Sequence, residues 1–211
     1  MTSPDHQSPA PEPAEPVTRD RVYRSPSGIA AGVLLLFITG WLGIDALVAG
    51  TGRTPWLALA TLLLVVPLVG AFTLRPAVFA NDDRLRVRNP LRVIVLPWAS
   101  VASLRSGYSN EVVDTSGTKY QLWAVPVSLR ARKKAAKRQT RGSARGGDTS
   151  TVLTEPERAQ TDQIMGDLRE LAETRGPAAR SQGEPSVRWA YEILAPALAG
   201  AVLLGILLGV G

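Results

Sequence analysis

Three long apolar stretches dominate the pattern of hydrophobic and polar positions along the chain. They cover residues 28–50, 55–74 and 190–210. The hydrocarbon core of a bilayer is about 30 Å thick, and a helix rises about 1.5 Å per residue, so about 20 apolar residues can cross it. All three stretches reach that length. The pattern therefore predicts three transmembrane helices, the first two joined as a tight antiparallel hairpin.

Between the second and third stretches the pattern changes to short runs separated by turn residues. Leu85 and Val87 alternate with three arginines over residues 84–88, as expected for a strand with one buried face. Further runs of this type lie at residues 92–96, 101–105, 111–114 and 119–125. Five to seven short strands in roughly 50 residues favour a small antiparallel sheet or barrel.

A helix is predicted after these strands, over residues 154–175. Thr154 and Glu157 have the spacing of a capping box. Ile164, Leu168 and Leu171 then form one apolar stripe, which predicts that the helix covers an open end or face of the sheet.

These patterns divide the chain into segments. The first 27 residues are rich in proline and have little to bury, which predicts a disordered head. The predicted segments are a head (1–27), a transmembrane hairpin (28–74), a domain (75–176) containing a basic loop (130–147) and a capping helix (154–175), a linker (177–188) and a third transmembrane helix (189–210).

The charges that flank the apolar stretches predict an orientation. Three arginines precede the first stretch and four follow the second within 14 residues, whereas the connection between them contains only Arg53. Because basic flanks stay on the cytoplasmic side, we expect the N-terminus and residues 75–188 in the cytoplasm and the C-terminus outside. The predicted location is the inner, or plasma, membrane. A cleaved signal anchor ending near Ala49 is an alternative.

Certain motifs of the domain resemble a known family. The run Arg84-Leu85-Arg86-Val87-Arg88-Asn89, a strand, the step Pro97-Trp98-Ala99-Ser100-Val101 and a Ser-Gly hairpin resemble bacterial pleckstrin-homology (PH)-like domains. The likeness is to the type found in actinobacterial membrane proteins named for a low-molecular-weight protein antigen. The resemblance implies a partly open antiparallel β-barrel capped by a C-terminal helix, with Trp98 and Val101 in the core. It implies no particular ligand.

A basic tract interrupts this domain. Residues 130–145 contain eight basic side chains and no acidic one. They are Arg130, Arg132, Lys133, Lys134, Lys137, Arg138, Arg141 and Arg145. Contact with anionic lipid heads is the favoured interpretation, since the tract is tethered beside a membrane. A solvated loop is the alternative, and nucleic-acid binding lacks the aromatic residues and fold that would support it.

The composition argues against catalysis. The chain contains no cysteine and one histidine, His6, in the proline-rich head. A Ser-His-Asp arrangement is therefore not expected in the domain, and no cofactor or metal site is predicted. We expect a protein that is not an enzyme and whose domain binds or scaffolds an unidentified protein partner at the inner leaflet. A lipid-surface sensor is the first alternative.

Two acidic residues fall within the apolar stretches, Asp45 and Glu192. Acids inside a membrane are candidate functional sites, but both lie near a predicted surface, where water can solvate them. Glycine pairs at positions 28 and 32 and at 205 and 209 permit close helix approach, so an oligomer is possible. A subunit of an oligomeric transporter or channel is the second alternative.

Overall fold

The computed structural model describes residues 19–125 and 155–210. The helices in these ranges are α1 (Pro26–Val48), α2 (Thr54–Val69), α3 (Glu155–Arg175) and α4 (Tyr191–Gly209). The strands are β1 (Arg21–Tyr23), β2 (Ala77–Ala80), β3 (Arg84–Arg88), β4 (Arg92–Pro97), β5 (Val101–Ser106), β6 (Asn110–Asp114), β7 (Lys119–Gln121) and β8 (Ser186–Trp189).

The three predicted apolar helices are confirmed as helices long and apolar enough to cross a membrane. Ser25 caps α1, because its side chain accepts a hydrogen bond from the Gly28 amide at 3.2 Å and Pro26 fits the first turn. The second helix continues past α2 as a π-helical turn over Gly70–Leu74 and ends before Pro76. Pro67, inside α2, has no amide hydrogen to donate, so one hydrogen bond of the helix is missing close to that turn.

Helix α2 packs against both α1 and α4. Gly200 of α4 lies directly on the backbone of α2, where a Cβ atom would be 2.5 Å from the Leu64 nitrogen and 2.9 Å from the Ala60 oxygen. Gly32 of α1 lies as closely against Thr73. In contrast, no atom of the described residues lies within 4 Å of such a Cβ atom at Gly205 or Gly209. The predicted glycine approach is therefore present at Gly32 but not at the second pair.

The strands form two antiparallel sheets. The first has the order β1–β2–β3–β4–β8, and the second has the order β5–β6–β7. Val78, Val87 and Ile94 lie side by side across the first sheet and are fully buried. One core is shared by both sheets and by the predicted stripe of α3, whose Ile164, Met165, Leu168 and Leu171 are buried.

The predicted antiparallel strands are confirmed, but they do not form the expected partly open barrel, because the two sheets are not closed into one. The 3₁₀ turn Trp98–Ser100 ends β4 and directs the chain into a separate sheet, where β5 pairs with β6. Strand β4 instead pairs with β8, which comes from after α3. Trp98 is 1% exposed, as the predicted core position requires, and Val101 packs against the core while partly exposed.

Both edge strands of the first sheet lie where the sequence predicted no regular structure. Strand β1 and the start of α1 fall within the head that was expected to be disordered to residue 27. Strand β8 and a short 3₁₀ helix, Ala179–Ser181, fall within the expected linker 177–188. Three- and four-residue strands are too short to show alternation, and their partners lie far away in the sequence.

Candidate binding site at the helix-proximal end of the domain

Three strands of the first sheet continue directly into the three apolar helices. Two residues separate β1 from α1, two separate Leu74 from β2, and Ala190 alone separates β8 from α4. We call this end of the sheet the helix-proximal end. Since one or two residues connect each of these strands to its helix, the ends of β1, β2 and β8 lie close to the ends of the apolar helices.

A groove opens at the helix-proximal end. It has a volume of about 200 Å³. Its lining comes from the second apolar helix, the β3–β4 turn, the residues after β7 and the end of β8. These residues, which we call the aromatic groove, are Phe72, Asn89, Pro90, Leu91, Arg92, Trp123 and Trp189.

Three aromatic side chains in the groove are about half exposed. The exposed fractions are 43% for Phe72, 46% for Trp123 and 52% for Trp189. The Phe72 and Trp123 rings meet edge to face with centroids 5.6 Å apart. Trp123 follows β7, and the Leu122 amide before it is fixed by donation to the Asn110 carbonyl at 2.8 Å. The contact between the Phe72 and Trp123 rings joins the second sheet to the end of the second apolar helix.

Asn89 supplies a buried polar group beside the groove. Its side chain donates from Nδ2 to the Gln121 carbonyl at 2.9 Å, which orients the amide. The residue is 3% exposed, and among the described residues Oδ1 has no hydrogen-bond partner. A buried acceptor without a partner is unfavourable by about 1–3 kcal/mol.

Arg92 is the cation of the groove. It starts β4 opposite Trp189, and its guanidinium lies 6.0 Å from the centre of the Tyr120 ring. In the described part of the chain, Arg92 forms no ion pair with a carboxylate. The groove therefore combines exposed aromatic surface with one positive charge that has no carboxylate partner among the described residues.

More arginines surround the outer face of the sheet at the same end. Arg75 pairs with Glu192 at 2.8 Å, and this ion pair links the end of the second apolar helix to the start of α4. Burial, followed by the charges of Arg75, Arg86 and Arg24, lowers the pKa of Arg88. Arginine keeps its proton in proteins, so the lowered pKa expresses first the unfavourable burial of a charged guanidinium and then the repulsion between these arginines. An anion close to it would relieve that repulsion.

Arg86 is held differently from its neighbours. It pairs with Asp20 at 3.0 Å, and its guanidinium lies 4.2 Å from the centre of the Phe79 ring. These contacts fasten the segment before β1 to the outer face of the sheet.

The candidate functional residues that were predicted from the sequence lie in different parts of the chain, and only some of them are described by the structure. The basic tract, Arg130 to Arg145, lies outside the described residues, as does Thr154 of the predicted capping box. Asp45 is exposed on α1. Glu192 is not simply solvated, because it is the partner of Arg75.

Sequence reasoning missed the aromatic groove. Only the position of Trp189 could have been expected from the sequence, since aromatic residues are frequent at the ends of membrane helices. Asn89 and Pro90 were visible only as a break between strands. Nothing in the sequence indicated that Phe72 and Trp123 meet, because 50 residues separate them in the chain.

In the described ranges, no group of three or more His, Asp or Glu side chains could hold a metal ion.

Comparison with known proteins supports the fold of the domain. Residues 75–146, about a third of the chain, match the family model described as Bacterial PH domain. The predicted PH-like domain is thereby confirmed, and its likeness to the actinobacterial antigen type stays a prediction. No curated protein and no solved structure matches the chain significantly.

Proposed function

We propose that the PH-like domain is a non-catalytic binding module that an integral membrane protein holds at the cytoplasmic face of the inner membrane. One observation supports this proposal above the others: all three apolar helices continue into strands of one sheet. A family match to a PH domain favours binding over catalysis. The single histidine and the lack of cysteine in the sequence agree with that preference.

The connections explain what such an arrangement would achieve. A linker of one or two residues spans less than about 8 Å, so it leaves the domain little freedom to move away from the bilayer. A partner that binds the domain is then held at the membrane surface. Tethering also raises the effective concentration of the domain for any group located at that surface.

The side of the membrane can be tested with single cysteines, because the native chain has none. Thr115→Cys lies in the exposed β6–β7 turn, and Thr51→Cys lies in the exposed connection between α1 and α2. An impermeant maleimide added to intact cells should label position 51 and leave position 115 unlabelled until the cells are permeabilised. The reverse result would contradict the proposed orientation.

The binding role requires a partner, and crosslinking in native membranes tests for one. A photo-crosslinking residue at Lys119, exposed on the domain, should capture a protein, whereas the same residue at Thr51 serves as the matched control. Proximity labelling from the domain extends the search to weaker partners. Absence of any specific product from the domain under all growth conditions would contradict a scaffolding role.

A second candidate function, an anionic-lipid sensor using the basic tract, is favoured by the Phe72–Trp123 contact. That contact places Trp123 at the helix-proximal end, and Arg130 follows it by seven residues. A chain of seven residues reaches at most about 25 Å, which is the greatest distance that can separate Trp123 from the first residue of the tract. Neutralising the eight basic residues should weaken binding of the protein to anionic lipid, and unchanged binding would exclude this function.

A further inference from the structure

We infer that the free edge of β8 binds an extended, acidic segment of a partner membrane protein, which adds to the first sheet as one more strand. The inference rests on the proposed function and deepens it, because it names the surface that binds the protein partner and the chemistry of the bound segment. That segment directly follows a membrane helix of the partner, and its side chains alternate between apolar and acidic.

Strand β8 is an edge strand whose backbone is available on one side. In the described ranges its only strand neighbour is β4. The Ala190 amide donates to the Leu91 carbonyl at 2.9 Å, and the backbone groups of successive residues in an antiparallel pair point alternately towards the neighbouring strand and away from it. The amides and carbonyls of Trp189 and Val187 therefore point away from β4. An edge of this kind is a template for the addition of a strand.

Two apolar side chains of β8 lie on the core face of the sheet without being covered. Val187 pairs with Ile94, which is fully buried, yet Val187 itself is 41% exposed. Trp189, on the same face, is about half exposed. Among the described residues, the core therefore ends before the sheet does. An added strand would place apolar side chains beside Val187 and Trp189, at the opening of the aromatic groove.

The opposite face of this edge is positively charged. Arg188 lies between Val187 and Trp189 in the strand, so its side chain is on the other face of the sheet. Across that face Arg188 aligns with Val93, which in turn aligns with Arg88. In the described part of the chain, neither arginine forms an ion pair with a carboxylate. The charge therefore favours an acidic residue at the position of the added strand that lies opposite Arg188.

The direction and the length of β8 favour a partner that is itself in the membrane. Ala190 alone separates β8 from α4, so β8 runs towards the proposed membrane. A segment that follows a membrane helix of the partner runs away from the membrane and is antiparallel to β8, which is the more stable pairing. Val187 and Trp189 alone offer backbone groups on β8, so the contact is weak by itself. Confinement of both proteins to one membrane raises their effective concentration for each other.

Two synthetic peptides test the charge requirement. The full-length protein, in nanodiscs of phosphatidylcholine, is titrated with a short fluorescent peptide in which leucine and glutamate alternate, and fluorescence anisotropy measures the binding. The second peptide has lysine in place of glutamate. We expect the glutamate peptide to bind about tenfold more tightly, because Arg188 attracts the first peptide and repels the second.

Two substitutions at one position test the backbone contact. Val187→Pro removes an amide that points to the free edge, and it leaves the pairing with β4 intact because proline is tolerated on the open side of an edge strand. This variant should bind the glutamate peptide about tenfold more weakly. Val187→Thr keeps both the amide and the β-branched shape, so it should bind the peptide as the native protein does. Near-UV circular dichroism checks that each variant is folded.

A second pair of variants tests the role of the charge at the edge. Arg188→Gln should weaken the binding of the glutamate peptide about fivefold, as the loss of one exposed ion pair implies. Arg105→Gln makes the same charge change on β5, an edge strand of the second sheet, and should have no effect.

Any one of three results would overturn the inference. They are equal binding of the two peptides to the native protein, equal binding of the glutamate peptide to Val187→Pro and Val187→Thr, and equal weakening by Arg188→Gln and Arg105→Gln. A dimer in the nanodiscs that Val187→Pro dissociates would assign the edge to a second copy of this chain, which would overturn the inference as well.

The failure of the inference is distinguishable from failure of the proposed function. If the peptides do not bind but crosslinking at Lys119 captures a protein, only the inference fails. If the cysteine labelling shows no membrane insertion, both fail.

Discussion

The rings of Phe72 and Trp123 meet edge to face, with centroids 5.6 Å apart and planes inclined at 71°. Phe72 lies in the π-helical turn that ends the second apolar helix, and Trp123 follows the last strand of the second sheet. The first sheet is joined covalently to the helices at three strands, whereas the second sheet has no such connection in the described ranges. This aromatic contact therefore joins the second sheet directly to the helices.

The contact should have a measurable coupling energy. Edge-to-face pairs contribute about 0.5–1.5 kcal/mol beyond the area they bury. We expect a double-mutant cycle of Phe72→Ala and Trp123→Ala to give a coupling of that size in the free energy of unfolding of the domain. Chemical unfolding in detergent, followed by near-UV circular dichroism, provides the measurement.

A second aromatic pair offers the matched control. Phe37 and Trp41 stack with centroids 6.4 Å apart, but both belong to α1. Their replacement by alanine should leave unfolding of the domain unchanged. A coupling between Phe72 and Trp123 near zero would mean that the second sheet is held to the helices by other contacts.

Gly200 should be intolerant of a side chain. The Cβ atom of Gly200→Ala would be 2.5 Å from the Leu64 backbone nitrogen, so α4 must move away from α2. Forced overpacking of this kind typically destabilises a protein by about 1–3 kcal/mol. Thermal unfolding in detergent, followed by far-UV circular dichroism, should show a lowered midpoint.

Gly205→Ala is the control on the same helix, since nothing in the described part of the chain lies within 4 Å of the added Cβ atom. Alanine has the higher helix propensity, so this variant should unfold at the same temperature or slightly higher. Equal destabilisation by both variants would contradict the close packing of α4 on α2.

The elements that were predicted well from the sequence are those with a strong local pattern of apolar residues. An apolar stretch of 20 residues is unambiguous by length alone, as at Tyr191–Gly209. Alternation marks β3, where Leu85 and Val87 are buried and Arg84 is exposed. The stripe of α3 is likewise visible at a spacing of three and four residues. Each of these patterns is contained within one element.

The features that sequence missed depend on contacts between distant segments. The partners of β1 and β8 lie more than 50 and 90 residues away, and neither strand is long enough to show a period. The partly open barrel was expected from the number of short strands and from the family resemblance, but β8 occupies the edge of β4. The aromatic groove needs four segments to meet, so the positions of Asn89 and Trp123 became apparent only in the folded chain.

Trp98 should contribute through a hydrogen bond as well as through packing. Its indole Nε1 donates to the Asn81 carbonyl at 2.8 Å, while the ring is buried in the core. Trp98→Phe removes the donor and part of the ring, so we expect a loss of about 1–3 kcal/mol in the free energy of unfolding. Trp123→Phe, at a half-exposed position, should cost much less. Chemical unfolding of both variants makes the comparison, and similar losses would contradict the role of the Asn81 contact.

Asp114 should make the stability of the domain depend on pH. Its carboxylate accepts hydrogen bonds from the Ser116 hydroxyl at 2.5 Å and the Thr118 amide at 2.9 Å. These bonds, that of Ser116 first, lower the pKa of Asp114, although burial acts in the opposite direction. In an unfolded chain the pKa of aspartate is about 3.9. A lowered pKa in the folded state means that the carboxylate stabilises the domain above about pH 4 and that this contribution is lost as the pH falls through the folded value.

Asp114→Asn removes the charge but keeps an acceptor, so it tests that dependence. At neutral pH we expect the variant to be less stable by about 1 kcal/mol, the difference between a charged and a neutral hydrogen bond. The difference should stay constant from about pH 7 to pH 5 and shrink below about pH 4. Urea unfolding across this range measures it, with Asp162→Asn on the exposed surface of α3 as the control. A difference that grows on acidification would mean that the folded pKa of Asp114 is raised rather than lowered.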